Sequence, residues 1–403
     1  MKIACIGNMN NNMFCIVRYL RDMGYDANLF LLHEQDVFIP SADSFNDDYL
    51  AYTHQLDWYD IWHWNISIKK IKKDLDGFNF IIACDQAPAF LGKANIHIDL
   101  LVVAGSEIYQ WPFYNIPRRF PKKSDLGNYY FTYCFRKAVR NSSYINFDLG
   151  NKLHEEKYKK LNPKAQRIIT NAPFLYITQY SKNYFKQSEY FDEIENIRKS
   201  YDFIIIQHCR QSWFSVSKTK KSHFLANKAN DILIKGFADF LSKVDHKKKN
   251  LLILFEYGVD VVASKKLIEE LGIQSYVKWL PKMYRKDLMI WLQIADLGVG
   301  ELGDSWFSYG AVYEFLSLKV PFIGNRNDED FKHLESGLYP MISAPSIEKM
   351  SATFLDYKNR PEYYKEMGIK AFEWFNKYAI EKPLEVYKKM LEEKSKLLKL
   401  LIN

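Results

Sequence analysis

The sequence predicts an α/β protein of two Rossmann-like, doubly wound domains facing a central cleft, with a C-terminal helical tail. Three observations carry that prediction. Short apolar runs rich in Ile, Leu and Val alternate with segments whose apolar residues recur at helical spacing. The alternation starts afresh near residue 202, after a polar and charged stretch. The chain has 403 residues, room for two domains at roughly 100–200 residues each.

In the first half, residues 2–6 form a short buried strand that runs into the loop Gly7-Asn8-Met9-Asn10-Asn11-Asn12. Phe14, Val17, Leu20 and Met23 then recur at helical spacing, and Gly24 ends the helix. Residues 26–32 supply the next strand, which completes one βαβ unit. Further strands fall at 80–84, 100–103 and 167–170. In the second half, strands at 203–207, 251–255, 277–280, 297–299 and 320–323 alternate with helices at 232–241, 264–271, 286–294 and 311–318. Ser264 is the expected N-cap of the second of these helices. The domains expected are 1–180 and 202–370, with 181–201 as linker. Residues 371–403 form C-terminal helices that cross back to the N-terminal domain. The apolar stripe of that tail either docks on the protein or lies on a membrane.

Composition narrows the function classes. Hydrophobic residues are 48% and charged residues 26% of the chain, which excludes disorder and a collagen-like repeat. Aromatic residues reach 16%, a share that suits large apolar interfaces or a cleft stacking on sugars, bases or lipid. Of 56 basic residues 12 are Arg and the rest Lys, against 48 acidic ones, which points to diffuse attraction for anions and not to a nucleic-acid reader. The five cysteines are scattered without a C-x-x-C, as expected of a reducing compartment. No apolar run has the ~18 residues of a membrane span, and the N-terminal run stops at Gly7-Asn8. A cytoplasmic protein is expected.

Ligands of doubly wound sheets sit at the carboxyl ends of the strands, so the loops after those strands hold the candidate residues. The first loop lacks G-x-G-x-x-G, which argues against a dinucleotide. Its Asn10 and Asn11 either present amides to a sugar or phosphate or form a plain strand-to-helix turn. After the strand at 203–207 comes His208-Cys209-Arg210, and eighteen residues beyond Arg210 stands Lys228-Ala229-Asn230-Asp231, just before an apolar helix. Two cations so placed either grip an anion or are solvated basic residues flanking a loop. Farther on, the run 301–321 holds Tyr309, Gly310, Ala311 and Glu314. Gly310 and Ala311 open a helix whose free N–H groups suit an anion.

These segments resemble the donor half of GT-B glycosyltransferases, family 4 in particular, which are retaining and use nucleotide sugars. The resemblance spans most of 200–375 and implies Arg210 and Lys228 on the diphosphate, with the backbone of Tyr309, Gly310 and Ala311 beside it. It places Glu314 on the ribose hydroxyls and the backbone near Leu280 on the base. Glu314 matches the second glutamate of the family's Glu-x7-Glu pattern. Trp306 stands in place of the first, with Glu301 and Asp304 as substitutes to consider. Ala229 and Lys319 stand where the family has glycine.

On the acceptor side, the loops after the strands at 80–84 and 100–103 offer Asp85, Gly105, Ser106 and Glu107. Asp85 is the candidate to bind a sugar hydroxyl or assist its deprotonation, and each of these residues could equally be a loop or cap residue. Between Trp111 and Arg140 aromatics interleave with seven Arg and Lys residues, which fits either a lipid-linked acceptor at an anionic membrane or a solvated loop. The histidines lack paired metal spacing, and neither a metal nor a separate cofactor is expected.

The function implied is transfer of a sugar from a nucleotide-diphosphate donor to a glycan or lipid-linked acceptor, in bacterial surface polysaccharide synthesis. The protein would be cytoplasmic with a peripheral contact on the inner face of the membrane, and no nucleic-acid partner. An epimerase of the same fold and a non-catalytic scaffold subunit are the alternatives.

Overall fold

The computed structural model describes the chain except residues 33–38, 59–64, 114–121, 148–151, 162, 218–226, 246–248, 304–306, 308–309 and 403. It divides into two compact units, 1–176 with 377–403, and 177–376.

The described strands of the first unit are β1 (Lys2–Ile6), β2 (Asp26–Leu31), β3 (Thr53–Gln55), β4 (Phe80–Ala83), β5 (Leu100–Val102), β6 (Tyr144–Asn146) and β7 (Gln166–Ile168). They form one parallel sheet in the order β3-β2-β1-β4-β5-β6-β7. Because successive residues point to opposite faces, β1 and β4 feed two cores. Ala4, Ile6, Ile81 and Ala83 pack on one side, and Ile3, Cys5, Phe80 and Ile82 on the other. Burial on both faces is why these strands read as unbroken apolar runs and not as alternating ones.

The second unit holds β8 (Phe203–Gln207), β9 (Asn250–Phe255), β10 (Val277–Leu280), β11 (Leu297–Val299), β12 (Phe322–Gly324) and β13 (Ile342–Ser343). Its sheet is parallel in the order β10-β9-β8-β11-β12-β13. Each sheet therefore grows outward in both directions from its first strand, with the reversal at β1/β4 in one unit and β8/β11 in the other. Such switch points leave a crevice at the strand ends where ligands lodge.

Strands β3, β6 and β13 lie outside the predicted set. Each has only two or three residues, and Thr53-His54-Gln55 carries no apolar signal. Ser264 is not an N-cap: the helix starts a turn earlier, Val261–Glu270 after Asp260, and Ser264 is buried inside it. Residues 181–201, expected to be a linker with a helix in it, contain the helices Lys182–Phe185 and Phe191–Ser200 and fall within the second unit. The final helix, Lys382–Ile402, belongs to the first unit. Its Tyr387, Met390 and Leu391 complete the core over β1, and the Tyr387 hydroxyl donates to Asn146 Oδ1 at 2.5 Å. Leu397 and Leu400 of the same helix stay exposed.

Two departures from glycine carry a conformational cost. Ala229 and Lys319 have φ of +48° and +62°, in the left-handed region where a Cβ crowds the backbone. Ala229 sits just before the helix Asn230–Ser242, and Lys319 turns the chain from the helix Gly310–Ser317 into β12. Replacing either by glycine relieves the crowding but loosens the unfolded chain. Ala229→Gly and Lys319→Gly are each expected to leave stability unchanged or raise it by up to ~1 kcal/mol. A drop in the urea midpoint for both would refute the strain.

Candidate functional site

In the second unit the site is assembled on the switch point by one buried amide. Gln207, the last residue of β8, donates from Nε2 to the Gly300 carbonyl beyond β11 at 3.0 Å. Its Oε1 accepts from Asn230 Nδ2 at 3.0 Å, and Asn230 Oδ1 accepts from the Ser212 N–H at 2.9 Å. The Lys228 N–H in turn donates to the Ser212 carbonyl at 2.7 Å. The loop after β11 reaches the same segment through the Leu302 N–H, which donates to the Lys228 carbonyl at 3.2 Å, and Gly303 permits this approach, since a Cβ there would lie 2.3 Å from the Asn227 carbonyl oxygen. These contacts bring the loops after β8 and β11 onto Lys228.

Lys228 is buried and its ammonium meets Glu301 Oε1 at 2.5 Å. Burial pushes the Glu301 carboxyl up, while Lys228 and then Arg210 pull it down; the net shift is upward. Arg210 is exposed at the mouth of this cluster. The buried Cys209 thiol between His208 and Arg210 is pushed well up by burial.

Glu314 departs most from expectation. Its Oε2 is bound by His208 Nε2 at 2.6 Å and its Oε1 by Arg285 Nε at 3.0 Å. Burial opposes its charge, but the hydrogen bond and charge of His208, then Arg285, outweigh it and hold the carboxyl down to about 2. Both carboxylate oxygens are thus engaged within the protein. His208 was visible only as a neighbour of Arg210, and Arg285 carried no sequence signal at all. Gly310 and Ala311 begin the helix Gly310–Ser317, one turn before Glu314. Leu280 ends β10, and its carbonyl accepts from the Glu256 N–H at 2.8 Å. Tyr309, Asp304 and Trp306 lie outside the described residues.

A second carboxylate locks the neighbouring loop. Asp260 accepts from the N–H groups of Trp213, Phe214 and Ser215 and from the Ser215 hydroxyl. Burial works against its charge, yet these donors hold it below the usual carboxylate range. A nest of successive N–H groups is an anion site, and here the protein fills it itself.

In the first unit the acceptor-side candidates gather at the carboxyl ends of β1, β4 and β5. Gly7, at φ +88°, lets the exit of β1 pass β4; a Cβ would lie 2.6 Å from the Cys84 carbonyl oxygen. Glu107 is fully buried and accepts from three backbone N–H groups: Asp85 at 2.8 Å, Gly105 at 2.9 Å and Ala104 at 3.1 Å. Burial pushes its carboxyl up to about 7, with Asp85 adding to the rise against those donors. Asp85 is buried at φ +57°, and Ser106 donates to Gln110 Oε1 at 3.3 Å. Asn11 is buried, with its Oδ1 accepting from Asn8 and its Nδ2 donating to the Ile39 carbonyl. Asn10 stands beside it at φ +55° and is half-buried. The structure thus brings Asp85, Gly105, Ser106 and Glu107 together, and uses the Asn11 amide within the loop. Among the described residues no cluster of three or more His, Cys, Asp or Glu is placed to hold a metal, and no helix is long and apolar enough to cross a membrane.

No family model and no curated protein matches the chain. Solved structures do. HepE from Anabaena in complex with UDP superimposes with a TM-score of 0.62 at 14% identity, over 97% of this chain and 100% of that one. Sucrose-phosphate synthase from Thermosynechococcus elongatus gives 0.57 at 10% identity, over 100% and 99%. A putative UDP-N-acetylglucosamine 2-epimerase from Listeria monocytogenes gives 0.51 at 11% identity, over 98% and 97%. At such identities the likeness establishes the fold, which is two-domain, α/β and GT-B-like.

The Glu314 cluster makes a stability prediction. A carboxyl held down to about 2, against an ordinary 4.5, stabilises the fold above pH 4.5 and loses that contribution as pH falls toward 2. At ~1.4 kcal/mol per pK unit, the contribution is roughly 3 kcal/mol. Glu314→Gln should therefore lower stability at pH 7 and flatten the wild type's acid limb between pH 4.5 and 2. Urea unfolding across that range reads both effects.

Proposed function

We propose that the chain is a glycosyltransferase that takes its sugar from a nucleotide-diphosphate donor bound in the second unit. The observation that carries this reading is the gathering of Arg210, Lys228 and Arg285 around the buried carboxylates Glu301 and Glu314 beyond the carboxyl end of β8. Cations placed at the mouth of a doubly wound sheet suit a diphosphate. In this reading Arg210, Lys228 and the helix N-terminus at Gly310 and Ala311 receive the diphosphate, with Tyr309 beside them. The loop after Leu280 meets the base, and Glu314 either turns to the ribose or orients His208 and Arg285. HepE has been solved with UDP and with UDP-glucose, which makes UDP the first nucleotide to try.

The step we assign is front-face, family-4-like and retaining. The bond from the sugar C1 to the phosphate oxygen breaks, a bond from C1 to the acceptor oxygen forms, and the acceptor's proton passes to the departing phosphate. The first unit, with Asp85, Ser106 and the Glu107-held loop, positions the acceptor hydroxyl, and Asn10 lies at the rim. The acceptor is a glycan or a lipid-linked sugar of bacterial surface polysaccharide synthesis, handled in the cytoplasm.

An epimerase reading has one observation in its favour, the Listeria neighbour, and would isomerise the donor without an acceptor. A scaffold subunit is favoured by Trp306 in place of the first glutamate. Thermal shifts with UDP, GDP, ADP and CMP separate binder from scaffold. A ligand at ~100 times its Kd adds ~2.7 kcal/mol, a rise of several degrees.

Arg210→Ala is the clean probe, because Arg210 is exposed whereas Lys228→Ala strands the buried Glu301 charge at a cost of roughly 3–5 kcal/mol. Arg210→Ala is expected to weaken the effective nucleotide roughly tenfold at unchanged unliganded Tm. No shift with any nucleotide would sink the donor reading. Asp85→Asn should lower transfer at least roughly tenfold while the nucleotide Kd stays as in wild type. A matching loss of nucleotide binding would remove Asp85 from the acceptor side.

A further inference from the structure

The helix Lys123–Arg140 of the first unit has two unlike faces. Phe131, Phe135, Ala138 and Val139 enter the core against the helix Ala87–Ala94. Contact is close there, since a Cβ on Gly92 would meet the Cys134 carbonyl oxygen at 2.0 Å. The opposite side carries Leu126, Tyr129, Tyr133, Arg136, Lys137 and Arg140, which at helical spacing share a stripe about 100° wide. A soluble helix normally turns its apolar residues inward, yet here Leu126, Tyr129 and Tyr133 are 49%, 57% and 59% exposed.

Two of the three cations on this stripe are held in place by backbone carbonyls. Arg136 Nε donates to the Pro112 carbonyl, and Arg140 Nε donates to the Leu161 carbonyl at 3.0 Å. Together with Thr132, Tyr129, Tyr133, Lys137 and Asn141 they line a pocket of about 310 Å³, and among the described residues no acidic side chain lines it. Burial first, and then repulsion from Arg140, pulls the Arg136 guanidinium below its ordinary value. Like charges fixed side by side without a carboxylate match a ligand that brings its own negative charge.

We propose that this face is a docking surface for an anionic membrane, with a lipid phosphate headgroup seated in the Arg136–Lys137–Arg140 pocket and Leu126, Tyr129 and Tyr133 entering the interfacial layer. The charge of the pocket selects the headgroup, and the exposed ring and leucine faces supply the apolar contact that a soluble anion would leave in water. A tyrosine suits that layer because its ring is apolar and its hydroxyl stays wet. The surface stands apart from the donor reading, since it uses none of the residues assigned to the nucleotide or the acceptor.

The test is co-sedimentation of the full chain with vesicles of phosphatidylcholine alone and of phosphatidylcholine mixed with phosphatidylglycerol. Binding is expected only to the mixed vesicles and should weaken as salt is raised. Lys137→Glu and Tyr133→Ser should each lower it at least roughly tenfold while Tm stays as in wild type. Arg136 is left intact because it anchors Pro112. Absence of binding, equal binding to both vesicles, or binding that neither substitution weakens would overturn the proposal. Capture of soluble polygalacturonate without vesicle binding would give the pocket to an acidic glycan and overturn it as well. Nucleotide shifts measured on the same protein report on the donor reading separately.

Discussion

The second unit depends on the Gln207 amide. A parallel sheet satisfies its backbone along the strands but not at their carboxyl ends, where the chain leaves for a loop. At the switch point Gln207 closes that gap, bonding to the loop after β11 with one atom and to Asn230 with the other. Glu301 follows directly on Gly300, and Lys228 stands two residues before Asn230. The amide that ties the backbone therefore also sets the distance of the ion pair.

That pairing governs what the site can do. Lys228 pairs with Glu301, and Glu314 is held between His208 and Arg285. Buried unpaired charges cost too much to persist, which is why each of these buried side chains is found with a partner. The Asp260 nest shows the same solution, with the protein's own carboxylate where an anion would sit.

The first unit solves its switch point differently. There Glu107 holds the exits of β4 and β5 by accepting three N–H bonds. Among its donors is the N–H of Asp85, whose own side chain is buried beside it. The outward face of Lys123–Arg140 is free of such bookkeeping. Arg136 and Arg140 there are braced by backbone carbonyls, and among the described residues no acidic side chain lines the pocket they share.

Strand-to-helix alternation, the restart near residue 202 and the cation spacing around Arg210 were legible in the sequence, because burial on both faces and helical periodicity are local patterns. The long strands β1, β2, β4, β8 and β9 were found for that reason, whereas β3, β6 and β13 are too short to leave a period. Ala229 and Lys319 could be noted as departures from glycine, but that both stand in the left-handed region needed the backbone. The partners of Glu314 were out of reach. His208 lies 106 residues away and Arg285 29, and only the packing of β8 and the helices around it brings the three charges together. Sequence determined which residue types were present at the strand ends; tertiary structure decided which charges neutralise one another, because that depends on distances across a sheet that no local pattern encodes.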